Sequence, residues 1–179
     1  MNPYSRTLAA AAAAIAVALS TGGVFAASKD ASFIRSAYSA NTLEVRAAEL
    51  ASSRDTMKDW RGFAATMVRD HTKALGQLRS LARDKHVWVS SRLMPSDEAA
   101  YRSLERAHGR AFDRAYAQFA VQSHVQANAL YNREIDKGRD SDVRAVAAKQ
   151  LPVIQNHLTM ADRLTSHAMR NLSRGVPKP

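Results

Sequence analysis

The chain has 179 residues, 46% of them hydrophobic, and 26 Lys and Arg against 16 Asp and Glu give a formal charge of +10. That length supports one domain with a real core, and that composition excludes a disordered chain. The absence of cysteine excludes disulfides and thiol chemistry, so core burial alone must hold the fold together.

The N-terminus reads as a secretory signal. One positive charge, Arg6, precedes the short apolar run TLAAAAAAIAVALS, and TGGVFA ends in a small-residue cleavage pattern. The expected cut follows Ala26, which makes residues 1–26 the signal peptide and directs the chain to the periplasm or beyond. An uncleaved anchor is the competing reading, but the run is too short to span a bilayer comfortably. No transmembrane span is expected in the mature chain. Its loss of Arg6 leaves a charge of +9, which would draw it to anionic envelope components. The cations are scattered, without the aromatic-interleaved basic patch that single-stranded nucleic acid requires, so no specific nucleic-acid binding is expected.

Residues 27–175 read as the folded domain and 176–179 as a disordered tail. The first predicted helix covers 30–52, where Phe33, Ala37, Ala40, Leu43, Ala47 and Leu50 recur at three- and four-residue steps. The second covers 55–84 with Asp55 as N-cap and the stripe Trp60, Phe63, Met67, His71, Ala74, Leu78 and Leu81. The serine-rich, β-branched stretch 85–97 reads as a long crossover loop. A helix then starts with Ser96 or Asp97 as cap, kinks or breaks at Gly109, and continues as the third long helix to Gly138. Its expected inner face is Phe112, Tyr116, Phe119, Ser123, Ala127 and Leu130. The fourth helix, 141–172, carries Val143, Ala147, Leu151, Ile154, His157 or Leu158, Ala161, Leu164 and Ala168, with Pro152 expected to kink it. No strand pattern, nucleotide loop or nucleophile elbow is present. The fold class that follows is all-α: a ferritin-like four-helix bundle with a long crossover between helices 2 and 3.

The segments LEVRAAELA, MVRDHTKAL, GRAFDRAYAQFAVQSHVQA and NREIDKGRDSDVRAVAAKQLPVIQNHL resemble, in order, the blocks of domain of unknown function 4142, an exported bacterial family. The resemblance covers about residues 30–165. It implies a ferritin-like fold and export, and it adds little chemistry.

The chemistry must come from polar residues on apolar stripes. His71, His124, His157 and His108 are the histidines near a bundle interior; His86 lies in the crossover and His167 near the fraying end. At about 1.5 Å rise per residue, His71, His124 and His157 fall within about 10 Å of height on three helices. Three readings follow. In the first, the imidazoles form a buried hydrogen-bond network with Asp113, Tyr116 or Glu44 that fixes helix register. In the second, His71, His124 and His157, assisted by Asp113 or Glu44, bind a copper, zinc or iron ion. Met67 and Met160, each near one of these histidines, would favour copper. The third, a di-iron oxidase, needs paired Glu-x-x-His motifs and four central carboxylates, whereas this chain has one such motif, residues 105–108. No residue is assigned a catalytic role, and enzymatic activity is not expected. The rival to metal binding is a non-catalytic envelope-stress or interaction protein whose basic surface acts and whose histidines are structural.

Overall fold

The computed structural model describes residues 21–54 and 58–174, with side chains for 29–54 and 58–167. Most of the expected signal peptide, the expected cap Asp55 and the expected tail lie outside the described residues. Among the described residues there are five helices and no strand: α1 (Thr21–Ser53), α2 (Lys58–Asp84), α3 (Pro95–Arg106), α4 (Gly109–Lys137) and α5 (Ser141–Arg174). The all-α expectation is met. No helix is long and apolar enough to cross a membrane, among the residues described.

The expected third helix is two helices. α3 starts with Pro95 at its first position and places Asp97 and Glu98 in its first turn and Arg106 in its last, all favourable to the helix dipole. Its N-cap is Met94, not Ser96 or Asp97, and Met94 makes no side-chain cap. The tie comes from α1 instead. The Met94 N–H donates to Ser39 Oγ (2.8 Å), and that hydroxyl donates to the Asp97 carboxylate, which pins the start of α3 to α1. At the other end Ala107 and His108 are extended and Gly109 takes a φ of +50°, a left-handed conformation that glycine adopts without cost. The Arg54 guanidinium fills this break. It donates to the carbonyls of Glu105 and Ala107 and lies 4.8 Å from the Phe112 ring centre. The Glu-x-x-His motif thus ends at an exposed break: His108 faces Arg54, not the interior.

α1 packs along α2 and α4 along α5, with further contacts of α1 on α4 and of α2 on α5. The buried Asp30, nine residues into α1, accepts the N–H groups of Arg139 (3.1 Å) and Asp140 (3.0 Å) in the α4–α5 turn. Lys85, just past α2, bridges Asp140 and Asp142 at 2.7 Å each. The α4–α5 turn therefore lies beside Asp30 of α1 and the end of α2. The segment 85–108, with α3, leads from that end to the Arg54 end. α5 runs through Pro152 as continuous helix, with the proline exposed.

The core consists of two apolar clusters. One gathers Trp60, Phe63, Met67, Phe112, Tyr116 and Ala161; Trp60 meets Phe63 and Tyr116 edge-on, and Phe112 stacks on Tyr116. The other gathers Phe33, Ile34, Leu78, Tyr131, Val143 and Ile154. The aromatic residues expected in the core are there, with Phe119 on its half-buried margin. The buried row of α4 departs from expectation. It is Phe112, Tyr116, Ala120, His124, Tyr131 and Glu134, while Phe119, Ser123, Ala127 and Leu130 form its half-buried flank. The chain follows the four-residue step from Tyr116 even though that step leads to small and polar side chains.

Candidate metal centre

Between the two apolar clusters lies a polar layer to which four helices contribute. On α2, His71 falls between Met67 of one cluster and Leu78 of the other. On α4, His124 falls between Ala120 and Tyr131, and on α5, His157 between Ala161 and Ile154. α1 adds Asn41 and Glu44 between Tyr38 and Ala47. His124 and His157 are at most 1% exposed and His71 is 6% exposed, so these rings belong to the interior.

The three imidazoles form a near-equilateral triangle. Ring centres lie 5.5 Å apart for His71 and His124, 5.2 Å for His71 and His157, and 5.3 Å for His124 and His157. One ring nitrogen from each lies within 4.8 Å of the others. Helix rise gave these residues a common height, and the structure brings their rings together.

Each ring has one nitrogen anchored by an acceptor. His71 Nδ1 donates to Asn41 Oδ1 at 2.8 Å. The orientation of that amide is fixed, because Asn41 Nδ2 donates to the Ala37 carbonyl (2.7 Å) and to Tyr131 Oη (3.2 Å). Tyr131 in turn donates to Gln150 Oε1, and Gln150 Nε2 donates to Gln77 Oε1. His124 Nδ1 donates to the Ala120 carbonyl one turn earlier (2.8 Å). His157 Nε2 donates to Asp70 Oδ2 (3.0 Å), and Arg69 pairs with the same carboxylate. The Arg69 hydrogen bond, with His157 adding to it, holds the Asp70 carboxyl below its usual range. Asp70 is therefore an acceptor at neutral pH, and it serves α5 rather than the histidine beside it in sequence.

A neutral imidazole that donates from one nitrogen carries its lone pair on the other. Those other nitrogens are His71 Nε2, His124 Nε2 and His157 Nδ1. All three are buried, and none makes a hydrogen bond with the protein. Burial, followed by repulsion from His124 and His157, holds the pKa of His71 well below 6.5. Burial also lowers that of His157, against the opposing pull of Asp70. Three buried, unpaired nitrogens on rings whose centres form a triangle, each ring locked by an outer acceptor, resemble the way proteins present imidazoles to a transition metal.

The remaining sequence candidates fall elsewhere. Glu44 is buried, but its Oε1 lies 3.7 Å from His124 Nδ1, the anchored nitrogen, not the free one. Burial raises the Glu44 pKa, partly countered by His124 and Ser123. Asp113 is eleven residues before His124 on the same helix, which puts it about 16 Å away along the axis. Tyr116 Oη makes no hydrogen bond, and the ring packs among Trp60, Phe63 and Phe112. Met67 is fully buried in the apolar cluster, and Met160 Sδ accepts a weak bond from Asn156. Neither thioether reaches the cavity beside the histidines. Asn41 and the role of Asp70 were missed in the sequence. Asn41 and Glu44, with Ala37 and Ala48, repeat at helical spacing on one face, and that is the signal that could have found Asn41.

A cavity of about 420 Å³ adjoins the triangle. All three histidines line it together with Asn41, Tyr131 and Gln150, and it extends to exposed residues of α2 and α5, Lys73, Lys149 and Val153.

Residues 10–164 match the family described as domain of unknown function (DUF4142), and the chain belongs to that family. No curated protein matches the chain, and no solved structure does.

Proposed function

We propose that this DUF4142 protein binds one transition-metal ion through His71 Nε2, His124 Nε2 and His157 Nδ1. The observation that carries the reading is the pairing within each ring of an anchored nitrogen and a free, buried one. A register-fixing network would engage both nitrogens, because an unpaired buried acceptor costs about 1–3 kcal/mol. Three such nitrogens, on rings whose centres lie 5.2–5.5 Å apart, favour a ligand set. Three imidazoles suit zinc, copper(II) or iron(II). Asn41, the Ala120 carbonyl and Asp70 are the outer partners that fix tautomer and ring orientation. Glu44 joins them as an outer carboxylate on His124.

The wider setting is part of the same proposal. The leader-like pattern of residues 1–26 supports export to the periplasm or outside. The pairing of α1 with α2 and α4 with α5, joined by the segment 85–108, supports a ferritin-like four-helix bundle with a crossover. That likeness carries no oxidase function, because the two carboxylates that approach the histidines among the described residues, Glu44 and Asp70, each meet an anchored nitrogen.

The test is elemental analysis of untagged protein, as purified and after incubation with zinc, copper or iron salts and desalting. About one equivalent of a single metal is expected, falling to background in each of His71→Gln, His124→Gln and His157→Gln. Protein that takes up no metal under these conditions, or variants that keep it, would overturn the reading and leave the triangle a structural element.

A further inference from the structure

The apolar space beside the histidines has no role in merely holding a metal. A structural site is closed by four protein ligands, whereas a site with three protein ligands keeps a position for an outside molecule. Among the described residues no carboxylate supplies a fourth ligand: Glu44 adjoins the anchored side of His124, Asp70 is engaged by Arg69 and His157, and Asp113 is turns away. The cavity that the three rings line, about 420 Å³, is within the range that accepts a small organic molecule.

Its lining states what kind. Ala40, Ala74, Ala127, Leu130 and Ile154 make most of the wall apolar. Charge at the cavity divides by sign. The acids are engaged within the protein: Glu44 by Ser123 and His124, Asp70 by Arg69 and His157, Asp97 by Ser39. Lys73 and Lys149, on α2 and α5 at the open side, are exposed and make no hydrogen bond or ion pair with the described residues. A bound divalent ion held by three neutral imidazoles adds positive charge at the inner end. Apolar walls, a cationic inner end and two free ammonium groups at the mouth select an anion with an apolar body.

Resting on the metal reading above, we propose that this cavity is a binding site for a small organic carboxylate, aliphatic or aromatic, whose carboxylate completes the coordination of the ion held by His71, His124 and His157. The hydrocarbon part of the ligand lies against Ala74, Ala127, Leu130 and Ile154. Lys73 and Lys149 raise the local concentration of anions at the entrance and make binding weaken with salt.

The experiment uses cobalt(II) as the metal and benzoate as the probe. The metal content of the desalted cobalt protein is measured first, and its visible spectrum reports the coordination sphere. Addition of benzoate is expected to change the d–d bands with saturation. Benzamide, the neutral analogue, is expected to bind at least tenfold more weakly, and metal-free protein is expected not to bind benzoate detectably. Ala127→Phe fills the space and is expected to weaken benzoate at least tenfold while keeping one equivalent of cobalt. Val153→Phe, at the exposed rim, gives the same comparison with less risk to folding. Cobalt bound at one equivalent with a spectrum indifferent to benzoate would overturn the carboxylate site and leave the metal site standing. Equal binding of benzoate to the metal-free protein would overturn coordination of the carboxylate. Failure to take up cobalt would remove both proposals.

Discussion

Which nitrogen of an imidazole can donate electrons is decided by what the other nitrogen touches. At His71 and His157 that partner is a side chain, so its effect is open to mutation. Asn41→Ala removes the acceptor of His71 Nδ1, and Asp70→Asn removes the charge behind His157. Each is expected to lower metal affinity about 10–100-fold without abolishing it, the usual effect of losing an outer partner. Competition titration against a chelator of known affinity measures this, and unchanged affinity in both variants would sink the assigned tautomers. A different residue-scale effect is expected at Glu134. Its carboxyl, shielded by the chain at Gly138 and facing Asp30 and Asp140, has its pKa raised from 4.5 to about 7, mainly by burial and then by Asp30, with Arg144 opposing. The folded state then holds a proton that the unfolded state has released, so stability falls as pH rises from 4.5 through about 7. Glu134→Gln removes that loss. Its melting temperature is expected to exceed that of the parent at about pH 8 and to approach it at about pH 5, and a constant offset across this range would refute the assignment.

At the level of helices, the start of α3 is tied to α1 through a single hydroxyl. Ser39 is buried and joins Met94 N–H to the Asp97 carboxylate. Ser39→Ala leaves the Met94 N–H without that partner, at a cost of about 1–3 kcal/mol. The loss is expected to be local. Hydrogen exchange should quicken over 94–106, while α4 and α5 keep their protection. Uniform quickening over the whole chain would instead make this contact part of the global fold. The same contact explains why the start of α3 was not legible: a cap supplied by a residue 55 positions earlier leaves no local signature. The stripes of α2 and α5 were legible because the apolar residues on either side of His71 and His157 mark the inner face. α4 was not, since Ala120, His124 and Glu134 carry no hydrophobic signal and the flanking Phe119 and Leu130 carry a strong one. Height along the helices, which depends only on rise per residue and on where the turns fall, brought the three histidines to one level before any contact was known. It could not supply their outer partners, which depend on rotamers.

Considered as one object, the molecule is two apolar clusters separated by a layer whose burial disfavours charge on its imidazoles and on Glu44 alike. The pKa of His71 and that of His157 are depressed below 6.5, each by burial first. In the unfolded chain both take up protons as pH falls below 6.5, while in the folded chain they resist, so metal-free protein loses stability from that pH downward. Glu134 has the opposite trend, so the effect is best read in the Glu134→Gln background, where the carboxyl no longer masks it. A bound metal adds stability as RT ln(1 + [L]/Kd), about 2.7 kcal/mol at a hundredfold excess over Kd. That gain depends on the same lone pairs, and protons compete for them as the pH drops. Melting curves of metal-free and zinc-loaded protein are therefore expected to lie well apart at about pH 8 and to converge towards about pH 5, as both lines fall. In a His71→Gln, His157→Gln double variant the acid-linked fall of the metal-free line should flatten and the zinc-loaded line should coincide with it. If zinc raises the melting temperature of that variant as much as of its parent, the stabilising ion sits elsewhere. If the metal-free line is flat in the Glu134→Gln background, the polar layer is hydrated and open, and the burial on which the ligand set depends is absent in solution.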